Sequence, residues 1–69
     1  MKVQLLKSKM ALYGDDQKTL AKEMGVTENT LRWKLQGKFD FKTSEIEFIG
    51  RRYELTVSEL CEIFFGREY

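Results

Sequence analysis

Few residues in this 69-residue chain could perform nucleophilic or metal chemistry. The chain holds one cysteine, Cys61, and no histidine, so the commonest general base and the usual zinc ligands are missing. A thiol becomes reactive beside a base or a positive charge; within Leu60–Ile63, Cys61 is expected to be a small hydrophobe, either buried or partly exposed. Met10 and Met24 recur at helical spacing with leucines, which is typical of a core. The sequence therefore predicts no enzyme, no metal site, no cofactor and no small-molecule ligand.

Hydrogen-bonding side chains are instead concentrated on one short segment that follows Thr27. Leu31 and Leu35 are four residues apart and share one helix face. The polar side chains around them occupy the remaining surface, namely Glu28, Asn29, Arg32 and Lys34. The pattern predicts an amphipathic helix with a narrow apolar stripe, whose polar residues need a scaffold to present them.

The scaffold is predicted from the positions of the glycines, which separate one helix from the next, and from the spacing of the apolar residues. The chain contains no proline. Steps of three and four residues between apolar positions predict helices. Asp16 and Thr27 are expected N-caps, Gly25 is expected to end a helix in the left-handed conformation, and Thr56-Val57-Ser58-Glu59 has the form of a capping box. We predict one all-α domain over residues 1–69, with an extended loop at Lys38–Phe41. Its five helices are expected within Lys2–Tyr13, over Gln17–Met24, from the Thr27 cap to about Gln36, over Thr43–Tyr53, and from Thr56 through Leu60, Ile63 and Phe64.

The second and third helices are separated by a very short turn. Such helices cross steeply, which requires a small residue where they approach and a residue that tolerates positive φ at the turn. Ala21 and Gly25 meet these needs, while Leu20, Val26 and Leu31 are expected to hold the pair together. The polar N-terminal half of the third helix would then face outward, which suits the major groove of B-DNA.

The formal net charge of +1 hides an uneven distribution. Residues 1–38 carry eight Lys or Arg against four acids, a balance of +4, and residues 39–69 carry four against seven, a balance of −3. This asymmetry indicates a surface that faces a polyanion, with simple solvation as the alternative. No apolar stretch approaches the roughly 18 residues that span a bilayer, and no export signal is visible, so we expect a cytoplasmic protein.

A series of short motifs runs in order along nearly the whole chain. They are Leu6–Met10, Gln17 with Leu20-Ala21, Gly25-Val26 with Leu31, Leu35–Lys38, Ser44–Ile46 and Leu60–Phe65. Together they resemble the helix-turn-helix family of phage repressors, Cro-like proteins and their bacterial relatives, often called the XRE family. The resemblance implies a compact five-helix domain of the lambda-repressor-like DNA-binding type, with the helix-turn-helix at about 17–36.

Three positions depart from the family pattern. Asp15 stands where relatives usually carry an apolar residue, so that junction is expected to be less buried than usual. Lys42 replaces a common capping Thr, and Thr43 is expected to cap instead, which would shift the fourth helix by one residue. Lys34 followed by Leu35 places the late apolar anchor one residue later, as in a phage subgroup of the family.

The resemblance also implies which residues would contact bases. These are Glu28, Asn29, Arg32 and Trp33, where Asn29 would pair with adenine, Arg32 with guanine, and Glu28 with cytosine N4. Glu28 is equally explained as an acid favoured in the first turn of a helix. Trp33 is either a partly buried side chain or a platform against thymine methyls and sugars.

Phosphate contacts are implied in the same way. Gln17 would bind a phosphate at the start of the second helix, where helix-end amides favour an anion. Lys34, Lys38 and Lys18 would add affinity without sequence discrimination.

The end of the chain is expected to supply a dimer surface within 56–69. Ile63, Phe64 and Phe65 are consecutive, so they cannot all face one core, and with Tyr69 they would form a patch for a symmetric partner. The alternative is that Phe64 and Phe65 cover the bottom of a thin core.

The sequence therefore favours a sequence-specific DNA-binding transcriptional regulator, of phage or prophage repressor or Cro-like type. As a homodimer it would bind a pseudo-palindromic operator with half-sites about 34 Å apart and block a promoter. The alternative is a protein-interaction module, such as an antirepressor with the same fold, in which Glu28 and the apolar C-terminus would matter more than Arg32.

Overall fold

Short helices joined by turns account for most of residues 1–66, the part of the chain described by the computed structural model. No strand occurs in this part, and Lys38–Phe41 is an irregular loop as predicted. The five helices are α1 (Val3–Leu12), α2 (Gln17–Met24), α3 (Glu28–Leu35), α4 (Thr43–Arg52) and α5 (Val57–Phe65).

Local capping signals set the helix boundaries where they were expected. Asp16 Oδ1 accepts a hydrogen bond from Thr19 N–H at 2.7 Å, and Thr27 Oγ1 accepts one from Thr30 N–H at 3.1 Å. Gly25 ends α2 at a φ of +76°, which a residue with a Cβ adopts only under strain. Thr56 and Glu59 form the reciprocal capping box at the start of α5. The α2–turn–α3 unit is thus fixed at both of its helix starts.

The start of α4 differs from the expectation. Lys42 is the N-cap and Thr43 is the first helical residue, so the predicted shift of one residue is wrong. The reason is that Glu45, three residues on, accepts a hydrogen bond from Lys42 N–H at 2.8 Å. Glu45 N–H, which a capping hydroxyl would otherwise satisfy, donates to Lys42 O at 2.9 Å, so the helix begins here without one.

Nine side chains from all five helices form one core. Around Leu6, Leu20, Leu31 and Ile49, which are fully buried, the core is completed by Met10, Ala21, Leu35, Tyr53 and Ile63. α2 packs on α3, while α5 packs on both α1 and α4. Lys2 N–H donates to Ile63 O at 2.8 Å, so the first turn of α1 is attached to α5.

Asp15, in the turn between α1 and α2, belongs to a part-buried polar cluster. Its side chain is 6% exposed, while the residue as a whole is half-buried; that this junction is less buried than usual stays a prediction. Arg52 donates from Nε and Nη2 to its two carboxylate oxygens at 2.6 and 2.9 Å, and Tyr53 Oη donates at 2.7 Å. The hydrogen bonds from Arg52, followed by that from Tyr53, keep the pKa of Asp15 below its ordinary value despite burial. Asp15 thereby connects the start of the α2–turn–α3 unit to the end of α4.

Within residues 1–66, no helix is long and apolar enough to cross a lipid bilayer.

Candidate nucleic-acid interface

The outer face of α3 carries most of the residues that were expected to contact bases. At about 100° per residue, Leu31, Lys34 and Leu35 lie on one side of the helix and Asn29, Arg32 and Trp33 on the other. The first three are buried, and the second three are exposed. Glu28 is also exposed, in the first turn. The structure therefore brings all four predicted base-contacting residues to one accessible helix surface.

Asn29 and Arg32 are joined on this face. Arg32 Nη2 donates to Asn29 Oδ1 at 2.6 Å, across one helical turn. The guanidinium has five N–H groups and the amide keeps both of its own donors, so the pair still offers donors to a ligand. A charged donor makes this hydrogen bond stronger than a neutral one. The two side chains consequently occupy the surface as a unit.

Trp33 lies at the other edge of the face, towards the loop after α3. It is 38% exposed and packs edge to face against Phe39, with ring centroids 5.9 Å apart. The expectation of a partly buried side chain is confirmed, because one side of the indole is covered. The role against thymine methyls and sugars stays a prediction for its accessible part. Phe39, from the loop that follows α3, was not predicted as part of this surface.

Lys34 does not reach a phosphate-binding surface, so its predicted role is wrong. The residue is 6% exposed, and its Nζ donates to Glu45 Oε1 and Oε2 at 2.5 and 2.6 Å. The same Nζ lies 6.0 Å from the centroid of the Phe41 ring. Position 34 falls between Leu31 and Leu35 on the inner face of the helix, which turns the side chain inward. Its charge is tolerated there because α4 supplies a carboxylate.

The Glu45 carboxylate accepts hydrogen bonds from two groups, one charged and one neutral. Burial raises its pKa, but the hydrogen bonds from Lys34 Nζ and from Lys42 N–H more than offset this and leave the pKa below its ordinary value. The carboxylate therefore joins the inner face of α3 to the first turn of α4. This contact fixes the orientation of α3, and with it the direction of its outer face.

A groove beside α3 collects polar residues from three helices. It has a volume of about 540 Å³, and its polar lining comes from Lys7 of α1, Gln17 of α2, and Arg32 and Gln36 at the end of α3. Gln17, predicted to bind phosphate, is half-buried here. Lys7 and Gln36 were not predicted. Lys7 lies one helical turn beyond Val3, which lines the same groove, and this spacing was the available signal.

Two other predicted phosphate ligands are accessible. Lys18 is exposed in the first turn of α2. Lys38 is exposed after Gly37, where its backbone N–H donates to Trp33 O at 2.9 Å and so holds the loop against the end of α3. Both lysines therefore lie beside ends of the α2–turn–α3 unit.

The charge asymmetry between the halves of the chain has a second explanation. Three basic residues of the first half pair with acids of the second: Lys2 with Glu62, Lys9 with Glu59, and Lys34 with Glu45. These three lysines contribute to the +4 balance, but their charges form ion pairs within the protein. The other five bases of the first half are all exposed, namely Lys7, Lys18, Lys22, Arg32 and Lys38.

The expected dimer patch is only partly on the surface. Ile63 is 1% exposed in the core, so its predicted place in an interface is wrong. The rotation of α5 turns Ile63 inward and leaves Phe65 60% exposed. Phe64 is half-buried and packs edge to face on Phe41 at 5.3 Å, as the core-covering alternative expected of it. Tyr69 lies outside the described residues.

Phe65 lines an apolar groove next to the end of α3. The groove has a volume of about 550 Å³, and Met1, Phe39 and Phe41 line it with Phe64 and Phe65. Met1, Phe39 and Phe65 are all largely exposed. Lys34 and Asp40 also line the groove, so its surface is mixed, with the exposed apolar side chains at its edge.

Cysteine and acidic side chains within residues 1–66 form no group of three or more that could hold a metal ion. Comparison of the chain with protein-family models, with curated proteins and with solved structures produced no match.

Proposed function

We propose that this protein is a sequence-specific double-stranded DNA-binding regulator that inserts the outer face of α3 into the major groove. The observation that carries the proposal is the exposed Asn29–Arg32 pair with Trp33 beside it, on a helix whose opposite face is locked into the core. Arginine is the side chain that most commonly pairs bidentately with guanine. The domain would be a helix-turn-helix of the lambda-repressor-like type, acting in the cytoplasm.

The way α3 is held supports this role. Base discrimination requires side chains that return to the same position, and three contacts restrict α3. Thr27 caps its start, the Gly25 turn docks it on α2, and the Lys34–Glu45 pair attaches it to α4. A short helix restrained at its start, on one flank and on its inner face presents a rigid recognition surface.

Cations around α3 would contact the DNA backbone. Lys18 and Lys38 lie near opposite ends of the α2–turn–α3 unit, and Lys7 with Gln17 lines the groove beside Arg32. Such contacts position a protein on the duplex and add salt-dependent affinity without sequence preference. Lys34 is excluded from this group because Glu45 already neutralises it.

Two copies would act together. One α3 reads only a few base pairs, so a homodimer on a pseudo-palindromic operator would provide the specificity. The apolar groove lined by Met1, Phe39 and Phe65 is the surface we assign to the second copy. A dimer of this kind at a promoter would block transcription, as phage repressors and Cro-like proteins do.

Enrichment of bound duplexes from a randomised double-stranded library tests the proposal. Wild-type protein is expected to enrich one motif with two-fold symmetry, and its affinity for that motif should fall steeply between about 50 and 200 mM salt. A protein that enriches no sequence, or whose DNA affinity does not change with salt, would contradict the operator function. Equilibrium sedimentation with Phe65→Ser as the variant tests the dimer, which should dissociate more readily than the wild type.

A protein-interaction module is the second candidate, favoured by the same apolar groove. In that case Phe39→Ser or Phe65→Ser would abolish the regulatory effect in cells, while Arg32→Ala would leave it intact. Loss of the regulatory effect with Arg32→Ala supports the DNA-binding function, because the homodimer would also need the groove.

A further inference from the structure

We infer that Asn29 is a positioning residue for Arg32: its side-chain oxygen restrains the guanidinium on the outer face of α3. This inference rests on the proposed function. It assigns the discrimination at one base pair to two residues, of which only Arg32 touches the base.

The first step of the argument is the hydrogen bond itself. The Arg32 Nη2 to Asn29 Oδ1 distance is 2.6 Å, between exposed side chains one helical turn apart. A free arginine side chain populates many rotamers, and this freedom would have to be lost on binding. The contact with Asn29 removes part of that freedom before DNA arrives.

The second step is the alternative position open to Arg32. The residue also lines the polar groove with Lys7, Gln17 and Gln36. A phosphate drawn to that groove would attract the guanidinium by charge and by paired N–H donors. Arg32 therefore lies at the border between the outer face and this groove, and loss of the contact with Asn29 would leave the guanidinium free to turn towards a phosphate there.

The third step concerns the donors left over. One N–H of Arg32 is directed to Asn29, and the remaining N–H groups still include a neighbouring pair able to bind guanine O6 and N7. The contact with Asn29 is thus compatible with base recognition. On this arrangement, Asn29 acts through Arg32 rather than reading an adenine of its own.

A double-mutant cycle on the enriched duplex tests this inference. Titration of Arg32→Ala on single-base variants of the duplex first identifies the base pair that Arg32 recognises, because changing that base pair no longer alters the affinity. Asn29→Ala is expected to lower discrimination at that same base pair by about fivefold or more, and the double variant should be no worse than Arg32→Ala alone. Asn29→Asp keeps an acceptor oxygen and should retain the discrimination ratio, even with lower overall affinity.

The salt dependence on non-specific DNA supplies a readout that a merely structural role would not move. Asn29→Ala should steepen the slope by about one ion, because Arg32 can then turn to a phosphate, and the double variant should not; an unchanged slope in Asn29→Ala would contradict the inference. Circular dichroism checks that α3 is intact in each variant.

Separate outcomes distinguish the inference from the function. If Asn29→Ala changes preference at a different base pair and the two losses add, Asn29 reads a base directly and the inference is wrong. If the wild type enriches no sequence, the proposed function fails, and the role of Asn29 with it.

Discussion

Two basic side chains of α3, only two residues apart, have opposite surroundings. Arg32 is exposed and is hydrogen-bonded to a neighbour on its own helix, whereas Lys34 is buried and paired with Glu45 of α4. A separation of two residues is a rotation of about 200°, so one faces outward and the other the core. The comparison teaches that positive charge on one helix can have two uses: it can remain available on the surface, as in Arg32, or it can fix the orientation of the helix, as in Lys34.

Lys34→Ala is the strongest test of the buried side of this comparison. The substitution leaves Glu45 buried without its cation, so the free energy of unfolding should fall by about 3–5 kcal/mol, as when one partner of a buried pair is removed. Urea denaturation measures the loss. Lys38→Ala, which removes an exposed lysine, is the matched control and should change stability by less than about 0.5 kcal/mol.

The combined change Lys34→Met with Glu45→Leu sharpens the same point. Replacing both partners with apolar residues of similar volume should recover part of the stability, because neither charge then needs a partner, although Lys42 N–H loses its hydrogen bond to Glu45. A Lys34→Ala variant that folds as stably as the wild type but binds DNA with a weaker salt dependence would return Lys34 to the phosphate ligands.

Asp15→Asn tests whether removing one partner of a second, part-buried ion pair lowers stability as Lys34→Ala does. The loss should be about 2–3 kcal/mol near pH 7, the range for a hydrogen bond to a charged group, because the Arg52 side chain keeps 28% exposure and can be rehydrated. Thermal unfolding as a function of pH measures it.

The pH dependence has a defined sign. The pKa of Asp15 is lower in the folded protein than its ordinary value of 3.8, so its contribution is present above that value and is lost as the pH falls through the folded pKa. The wild type should therefore lose stability in acid, and Asp15→Asn should lose less over the same range. Equal acid slopes for the two proteins would contradict the assignment. Glu45, Glu59 and Asp16 also have lowered pKa values, so some slope remains in the variant.

Arg32→Ala tests the exposed side of the comparison. Affinity for the enriched duplex should fall by about 1–3 kcal/mol, with relaxed preference at one base pair and little change in stability. Fluorescence anisotropy titrations on the duplex and its single-base variants measure both effects. Equal losses on every duplex would make Arg32 a phosphate ligand instead.

Lys38→Ala should have the smallest effect. It should weaken binding to all sequences alike and lower the salt slope by about one, with no change in the base preference. Titrations at several salt concentrations measure the slope. A change in preference at a single base pair would place Lys38 among the base-reading residues.

Local signals allowed much of the fold to be predicted. Asp16, Thr27 and the Thr56–Glu59 box act within one helical turn, so sequence spacing alone locates them. The outward face of α3 could be predicted equally well, because Leu31 and Leu35 show which side of the helix faces the core. These parts depend on neighbours no more than four residues away.

Contacts between distant residues could not be predicted in the same way. Burial of Lys34 depends on Glu45, 11 residues further on, and burial of Asp15 depends on Arg52, 37 residues further on. The sequence around Lys34 or Asp15 does not indicate which distant residue will be its partner. Similarly, the spacing of Ile63–Phe65 leaves open which side chain faces out, since this depends on how α5 meets α1 and α4.

Met1 lines both the polar groove beside Arg32 and the apolar groove beside Phe65. An affinity tag fused ahead of this residue would begin on the wall that separates the two grooves, and its peptide could enter either of them. Purification handles should therefore be cleaved before DNA affinity or self-association is measured, and a tagged sample that behaves differently from the cleaved one would report on this shared wall.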